Sequence, residues 1–93
     1  MMMNSEKIIN SAEIFKALSN PLRLNMVKLL ATSEKMNVTE IYKKLNIKQA
    51  IASHQLNILR NKDILHSERI GKKTFYSLKH RQIAEAIDMI ISI

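Results

Sequence analysis

The chain has 93 residues, 46% of them hydrophobic, and a formal net charge of +7, which suits one folded domain spanning residues 1–93 and excludes a disordered chain. It has no Cys, no Trp and only two Tyr and two Phe, so disulfides, thiolate metal sites and Cys nucleophiles are excluded and the core must be aliphatic. No apolar run approaches the roughly 20 residues that cross a bilayer, and Met1-Met2-Met3-Asn4-Ser5-Glu6 lacks the basic and long apolar segments of a secretion signal, so a cytoplasmic location is expected.

Ser5 to Leu18 reads as a helix with Ile8, Ala12 and Phe15 on one stripe and Ile9 and Ile14 off it. Ser19-Asn20-Pro21 breaks it. Asn20 can cap the next helix, and Pro21 suits its first position, where an N–H would be unpaired anyway. That helix runs to about Ala31 with Leu22, Met26, Leu29 and Leu30 inward. Asn37-Val38-Thr39-Glu40 has the form of a capping box and opens a short helix, Val38 to Leu45, burying Val38, Ile41 and Leu45. Asn46-Ile47-Lys48-Gln49 repeats that pattern before a longer helix from Ile47 to about Lys62, with Ala52, Leu56 and Leu59 inward.

Beyond Asp63-Ile64-Leu65 the helical period stops. His66 to Ile70 and Thr74 to Leu78 are short β-type runs around Gly71-Lys72, a hairpin turn in which Gly supplies a positive φ. Arg81 to Ile93 returns to helix with Ile83, Ile87 and Ile90 in register. The expected fold is mainly α (α+β), in the order α-α-α-α-β-β-α: a winged helix-turn-helix.

Residues 42–81 hold ten Lys or Arg against Asp63 and Glu68, a net +8 in this stretch. Such a block inside a folded chain points to a polyanion, the bland alternative being a solvated lysine-rich surface. In a helix-turn-helix the second helix enters the DNA major groove. With Ala52, Leu56 and Leu59 inward, its outer face carries Gln49, Ala50, Ser53, His54 and Asn57: amides suit adenine, Ser several base edges, and the Ala methyl that of thymine. Thr39, Lys43, Lys44, Lys48 and Arg60 flank this face as candidate phosphate contacts, which position without specifying. The hairpin tip adds Arg69, Lys72 and Lys73, a basic wing for an adjacent minor groove or backbone.

The end helices carry more apolar surface than so small a domain can bury. Ile8, Ala12 and Phe15 with Ile83, Ile87, Ile90 and Ile91 are the candidate interface of a homodimer, which would set two reading helices about one DNA turn apart. A fully buried helix or a frayed tail is the ordinary alternative.

Catalysis finds no footing. One Gly leaves no phosphate loop, Ser53 lacks a nucleophile elbow, and Glu85 with Asp88, the one close carboxylate pair on a helix face, lies in the candidate dimer helix. No helix pairs a lysine-rich face with aromatic anchors, which argues against membrane binding. The competing function is a winged-helix adaptor whose basic face meets an acidic protein partner.

Three stretches carry a family resemblance: Ala17-Leu18-Ser19-Asn20-Pro21-Leu22-Arg23-Leu24, then Ser53-His54-Gln55-Leu56-Asn57-Ile58-Leu59-Arg60 followed by Ile64-Leu65, then Gly71-Lys72-Lys73-Thr74-Phe75-Tyr76-Ser77-Leu78. Across roughly residues 12–80 the chain resembles the ArsR/SmtB repressors. The resemblance implies a homodimeric repressor that binds operator double-stranded DNA and leaves it when an effector, commonly a metal ion, binds. Where that family places Cys ligands this chain has Asn37 and Thr39, and the last-helix region offers His80, Gln82 and Ile93. Neither a metal site nor a cofactor is expected, and the effector is left open.

Overall fold

The structure, a computed structural model, describes residues 4–93. Helix α1 (Ser5–Leu18) is capped by Asn4, and α2 (Pro21–Ala31) by Asn20, whose Oδ1 accepts from the N–H groups of Leu22 (2.9 Å) and Arg23 (3.1 Å). Strand β1 (Met36–Asn37) leads directly into α3 (Val38–Lys44); α4 (Gln49–Asn61), β2 (Leu65–Ile70), β3 (Lys73–Leu78) and α5 (Arg81–Ile91) complete the fold. No helix among the described residues is long and apolar enough to cross a membrane.

Expectation and structure agree on every helix and on the hairpin, and differ in two places. The first is β1, which the sequence reading lacks. Met36 pairs with Tyr76 and Asn37 with Phe75, so the sheet has three antiparallel strands in the order β1-β3-β2. A two-residue strand is too short to show a period.

The second concerns Asn46. It caps no helix N-terminus; it ends α3. Its φ is +54°, its N–H bonds to the Lys43 carbonyl (3.2 Å), and the next N–H, of Ile47, bonds to the Tyr42 carbonyl (3.0 Å). This is the Schellman arrangement, and Asn suits it because its short polar side chain tolerates the left-handed region. Asp63 (φ +64°) ends α4 in the same way, through Asp63 N–H to Arg60 carbonyl and Ile64 N–H to Leu59 carbonyl, both 3.0 Å. With Leu45 to Lys48 spent on the turn, α4 begins at Gln49 with no side-chain cap.

The core is aliphatic, as the composition requires. Met26, Val27 and Leu30 of α2 meet Ile41 of α3, Ala52, Leu56 and Leu59 of α4, and Ile64 and Leu65, with Tyr76 the one aromatic fully inside. Val27, not Leu29, is the fully buried neighbour of Leu30; Leu29, Leu22, Val38 and Leu45 pack half-buried around the edge. Arg23 ties three helices together: its Nε donates to the Ala17 carbonyl and its Nη1 to Gln55 Oε1 (2.7 Å). The side-chain ion pairs Lys28–Asp88 (2.7 Å), Lys62–Glu13 (3.2 Å) and Lys79–Asp63 (2.6 Å) are exposed, so each contributes little. Lys79 holds the Asp63 carboxyl below its ordinary pKa, first through the hydrogen bond and then through its charge.

The capping box at α3 is present as expected. Asn37 Oδ1 accepts from the Glu40 N–H (2.9 Å) and Glu40 Oε1 accepts from the Asn37 N–H (3.0 Å). Asn37 is the one buried polar residue among those described. Asn37→Ala should therefore lower stability by about 1–2 kcal/mol, with Asn37→Asp retaining most of it. Urea unfolding midpoints of the two variants check this; equal losses would mean the cap contributes nothing.

Candidate nucleic-acid interface

The exposed side of α4 follows from its buried side. Ala52, Leu56 and Leu59 face inward with no solvent exposure, which turns Gln49, Ala50, His54 and Asn57 out to solvent and leaves Ser53 half-buried at the edge nearer the hairpin. Thr39, Lys43, Lys44, Lys48 and Arg60 are exposed around them. Arg60 reaches back one turn, its Nη2 donating to Asn57 Oδ1 (3.3 Å).

The hairpin turns at Gly71 (φ +62°), with Ile70 opposite Lys73 and Arg69 opposite Thr74. Side chains alternate across a strand. Leu65 and Tyr76 point into the core, so Arg69 and Thr74, in phase with them, lie on the α4 side. Glu68 and Phe75 fall on the other side, where Lys35 approaches both (3.6 Å to the carboxylate, 5.5 Å to the ring). The register thus puts the wing's one carboxylate on the face opposite Arg69. Arg69 is steadied by long contacts from its Nε to the Gly71 carbonyl and from its Nη1 to Thr74 Oγ1, both 3.4 Å.

These pieces enclose a cleft of about 270 Å³ lined by Asn37, Val38 and Thr39 at the start of α3, Gln49 and Ser53 of α4, and Arg69, Lys72, Lys73 and Thr74 of the wing. Three cations and three hydroxyls line it, and no carboxylate does. Of the candidate DNA residues, Thr39, Gln49, Ser53 and the three wing cations come together here. Ala50, His54, Asn57 and Arg60 continue along α4 outside the cleft, and Lys43 and Lys44 stand at the far end of α3. Thr74 is a lining residue the sequence reading missed: a two-residue turn at Gly71-Lys72 already pairs it with Arg69, but the pairing register was not followed to that position.

The candidate dimer face is open in the single chain. On α1, Ile14, Ala17 and Leu18 pack on the core while Ile8, Ala12 and Phe15 face solvent, Phe15 at 64% exposure. On α5, Ile90 and Ile91 are each 59% exposed and Ile83 is half-buried. Ile87 is a correction: at 4% exposure it belongs to the core with Ala84 and forms only the floor of the apolar groove between Phe15, Leu18 and Ile90. Ile9, Met89 and Ile93 are exposed as well.

A family model described as "Bacterial regulatory protein, arsR family" matches residues 20–67, from the α2 cap into the wing. The chain belongs to this family. An HTH-type transcriptional regulator of Methanocaldococcus jannaschii is 38% identical over 85 residues, covering 91% of this chain and 96% of its own. Among solved structures, the transcriptional repressor PagR of Bacillus anthracis is 28% identical with a TM-score of 0.84, covering 94% of this chain and 99% of its own. A homodimeric winged helix-turn-helix DNA-binding domain from Mycobacterium bovis shares the fold at 22% identity, with a TM-score of 0.83 and coverage of 97% and 85%.

As an ArsR-family protein the chain is a DNA-binding transcription regulator and not an enzyme. The positions that the family resemblance would give to thiolates are otherwise occupied: Asn37 is locked in the capping box and Thr39 lines the cleft. His54 is exposed on α4, His66 on β2, and His80 caps α5 without a side-chain hydrogen bond. Among the described residues no three His, Cys, Asp or Glu side chains gather.

Proposed function

We propose that this protein is a homodimeric repressor, one winged helix-turn-helix unit per chain, which binds a palindromic operator. In this reading α4 enters the major groove with Gln49, Ala50, Ser53, His54 and Asn57 against base edges. Thr39, Lys43, Lys44, Lys48 and Arg60 take backbone phosphates, and Arg69, Lys72 and Lys73 follow the adjacent minor groove or backbone. The observation that carries it is the carboxylate-free cleft in which reading helix and wing meet. Cations so placed neutralise phosphates, and the released counterions make binding favourable and salt-dependent. The open apolar face on α1 and α5 supports the two-fold assembly, as does the homodimer of the Mycobacterium bovis domain.

The decisive experiment is a titration of the full-length protein on the DNA upstream of its own gene, against random duplex, across a salt series. Specific binding should exceed random binding by at least about 10³-fold, within the usual range for such regulators. Equal affinity for the two would end the repressor reading.

Two sets of variants separate the roles. Gln49→Ala or Ser53→Ala should cost roughly 1–3 kcal/mol on the preferred sequence and little on random DNA. Lys72→Ala with Lys73→Ala should weaken all sequences alike and flatten the slope of log K against log salt by about 0.9 for each phosphate that is no longer neutralised. A sequence-dependent loss from the lysine pair would contradict this assignment.

A further inference from the structure

Resting on the docking proposed above, we infer that the operator is read as A·T pairs in two places by two different sets of groups: beneath Gln49, Ala50 and Asn57 in the major groove, and beneath the wing tip in the minor groove.

The major-groove part rests on what the outer face of α4 lacks. Guanine presents two acceptors that pair best with Arg or Lys, and cytosine an amino donor that pairs best with Asp or Glu. α4 contains no acidic residue, and no Arg or Lys stands between Gln49 and Leu59. Its one guanidinium, in the last turn, points back at Asn57. The groups left are two amides, whose donor and acceptor match adenine, the Ala50 methyl, which suits the thymine methyl, and the Ser53 hydroxyl, which suits several base edges and favours none. His54 can donate to the N7 of either purine and is neutral between them.

The minor-groove part rests on the wing tip, where the polar side chains are donors. Arg69, Lys72 and Lys73 have no acceptor. Two acceptors at the tip, the Gly71 carbonyl and the Thr74 hydroxyl, each already accept a long 3.4 Å contact from the Arg69 guanidinium. Ile70, 44% exposed, lies between Arg69 and the turn in the chain and opposite Lys73. A·T pairs offer only acceptors to the minor groove, whereas guanine adds an N2 amino donor. Beneath this tip that amino group would face cations and an isoleucine and lose its hydrogen bond to water without a replacement, which is costly. A·T runs also narrow the groove and deepen its negative potential, which favours the same cations.

The test is selection of operators from a randomised duplex library with the full-length protein, followed by single-base analogues in the selected site. A·T should dominate both places, with one G·C pair beneath the wing weakening binding by roughly tenfold, within the range for single mismatches. Inosine·C there, which removes only the minor-groove amino group, should restore most of that loss. Diaminopurine·T, which adds the amino group to an A·T-like pair, should reproduce it. Beneath α4, 7-deazaadenine should weaken binding. Ile70→Asn, which supplies an acceptor, should reduce the wing's discrimination against G·C to about twofold or less.

Enrichment of G·C in either place, or indifference to the inosine and diaminopurine exchanges, overturns the inference while leaving sequence-specific repression intact. Binding with no sequence preference at all overturns both.

Discussion

Phe15→Glu combined with Ile90→Glu should convert the protein to a folded monomer and lower operator affinity by about 10²- to 10⁴-fold. Both side chains are more than half exposed in the single chain, so neither carboxylate disturbs the core of the protomer. In a two-fold interface each substitution occurs twice, so four carboxylates would be buried in a groove lined mainly by apolar side chains. Burial of an unpaired charge costs several kcal/mol per ion. The affinity loss follows from effective concentration: a monomer must find each half-site independently, while a dimer finds the second at roughly millimolar effective concentration. Sedimentation equilibrium reads the assembly and a titration on the full operator reads the affinity. A dimer that survives both substitutions would move the interface elsewhere. Retained helical circular dichroism distinguishes a monomer from an unfolded chain.

How much of this was legible in the sequence depends on how many alternatives each signal allowed. The reading helix was legible because Ala52, Leu56 and Leu59 leave one way to bury it, and all three are fully buried. The last helix was less so. Ile83, Ala84, Ala86, Ile87, Met89, Ile90 and Ile91 place apolar groups around most of its circumference, and a pattern of that kind cannot say which isoleucine points inward. Packing of α5 against α2 settles it for Ile87, while Ile90 and Ile91 stay outside.

Asn46 was misread for a chemical reason. Asparagine serves both ends of a helix, accepting from N–H groups at a start and tolerating positive φ after an end. Which role applies depends on where the preceding helix stops, and α3 has only seven residues. The cleft was legible as a set of charges but not as a shape. It needs the Arg69–Thr74 register and the β1 pairing that anchors the wing to the start of α3. The first follows from the hairpin turn, but the second joins Met36 to Tyr76, far apart in the chain, which local periodicity cannot express.

Leu56→Ala and Asn57→Ala, adjacent on α4, should fail in opposite ways. Leu56 has no solvent exposure, on a helix against which α2, α3 and β2 all pack. Truncation removes three heavy atoms and leaves a cavity that a close-packed interior refills only in part, a loss of about 2–5 kcal/mol. Against the roughly 5–15 kcal/mol that holds a domain folded, this is a substantial fraction of the total. The urea midpoint should fall with an unchanged slope, the mark of lost stability without a changed unfolded state.

Asn57 is exposed, and among the described residues its side chain is bonded only to the flexible end of Arg60, so its truncation should move stability by no more than about 0.5 kcal/mol. Its effect should appear instead in operator affinity, roughly 1–3 kcal/mol on the selected sequence. If Asn57→Ala lowers the midpoint as much as Leu56→Ala does, α4 is not held by its inner face alone. If it leaves operator affinity unchanged, the reading surface ends at His54 and the first turns of the helix carry the recognition.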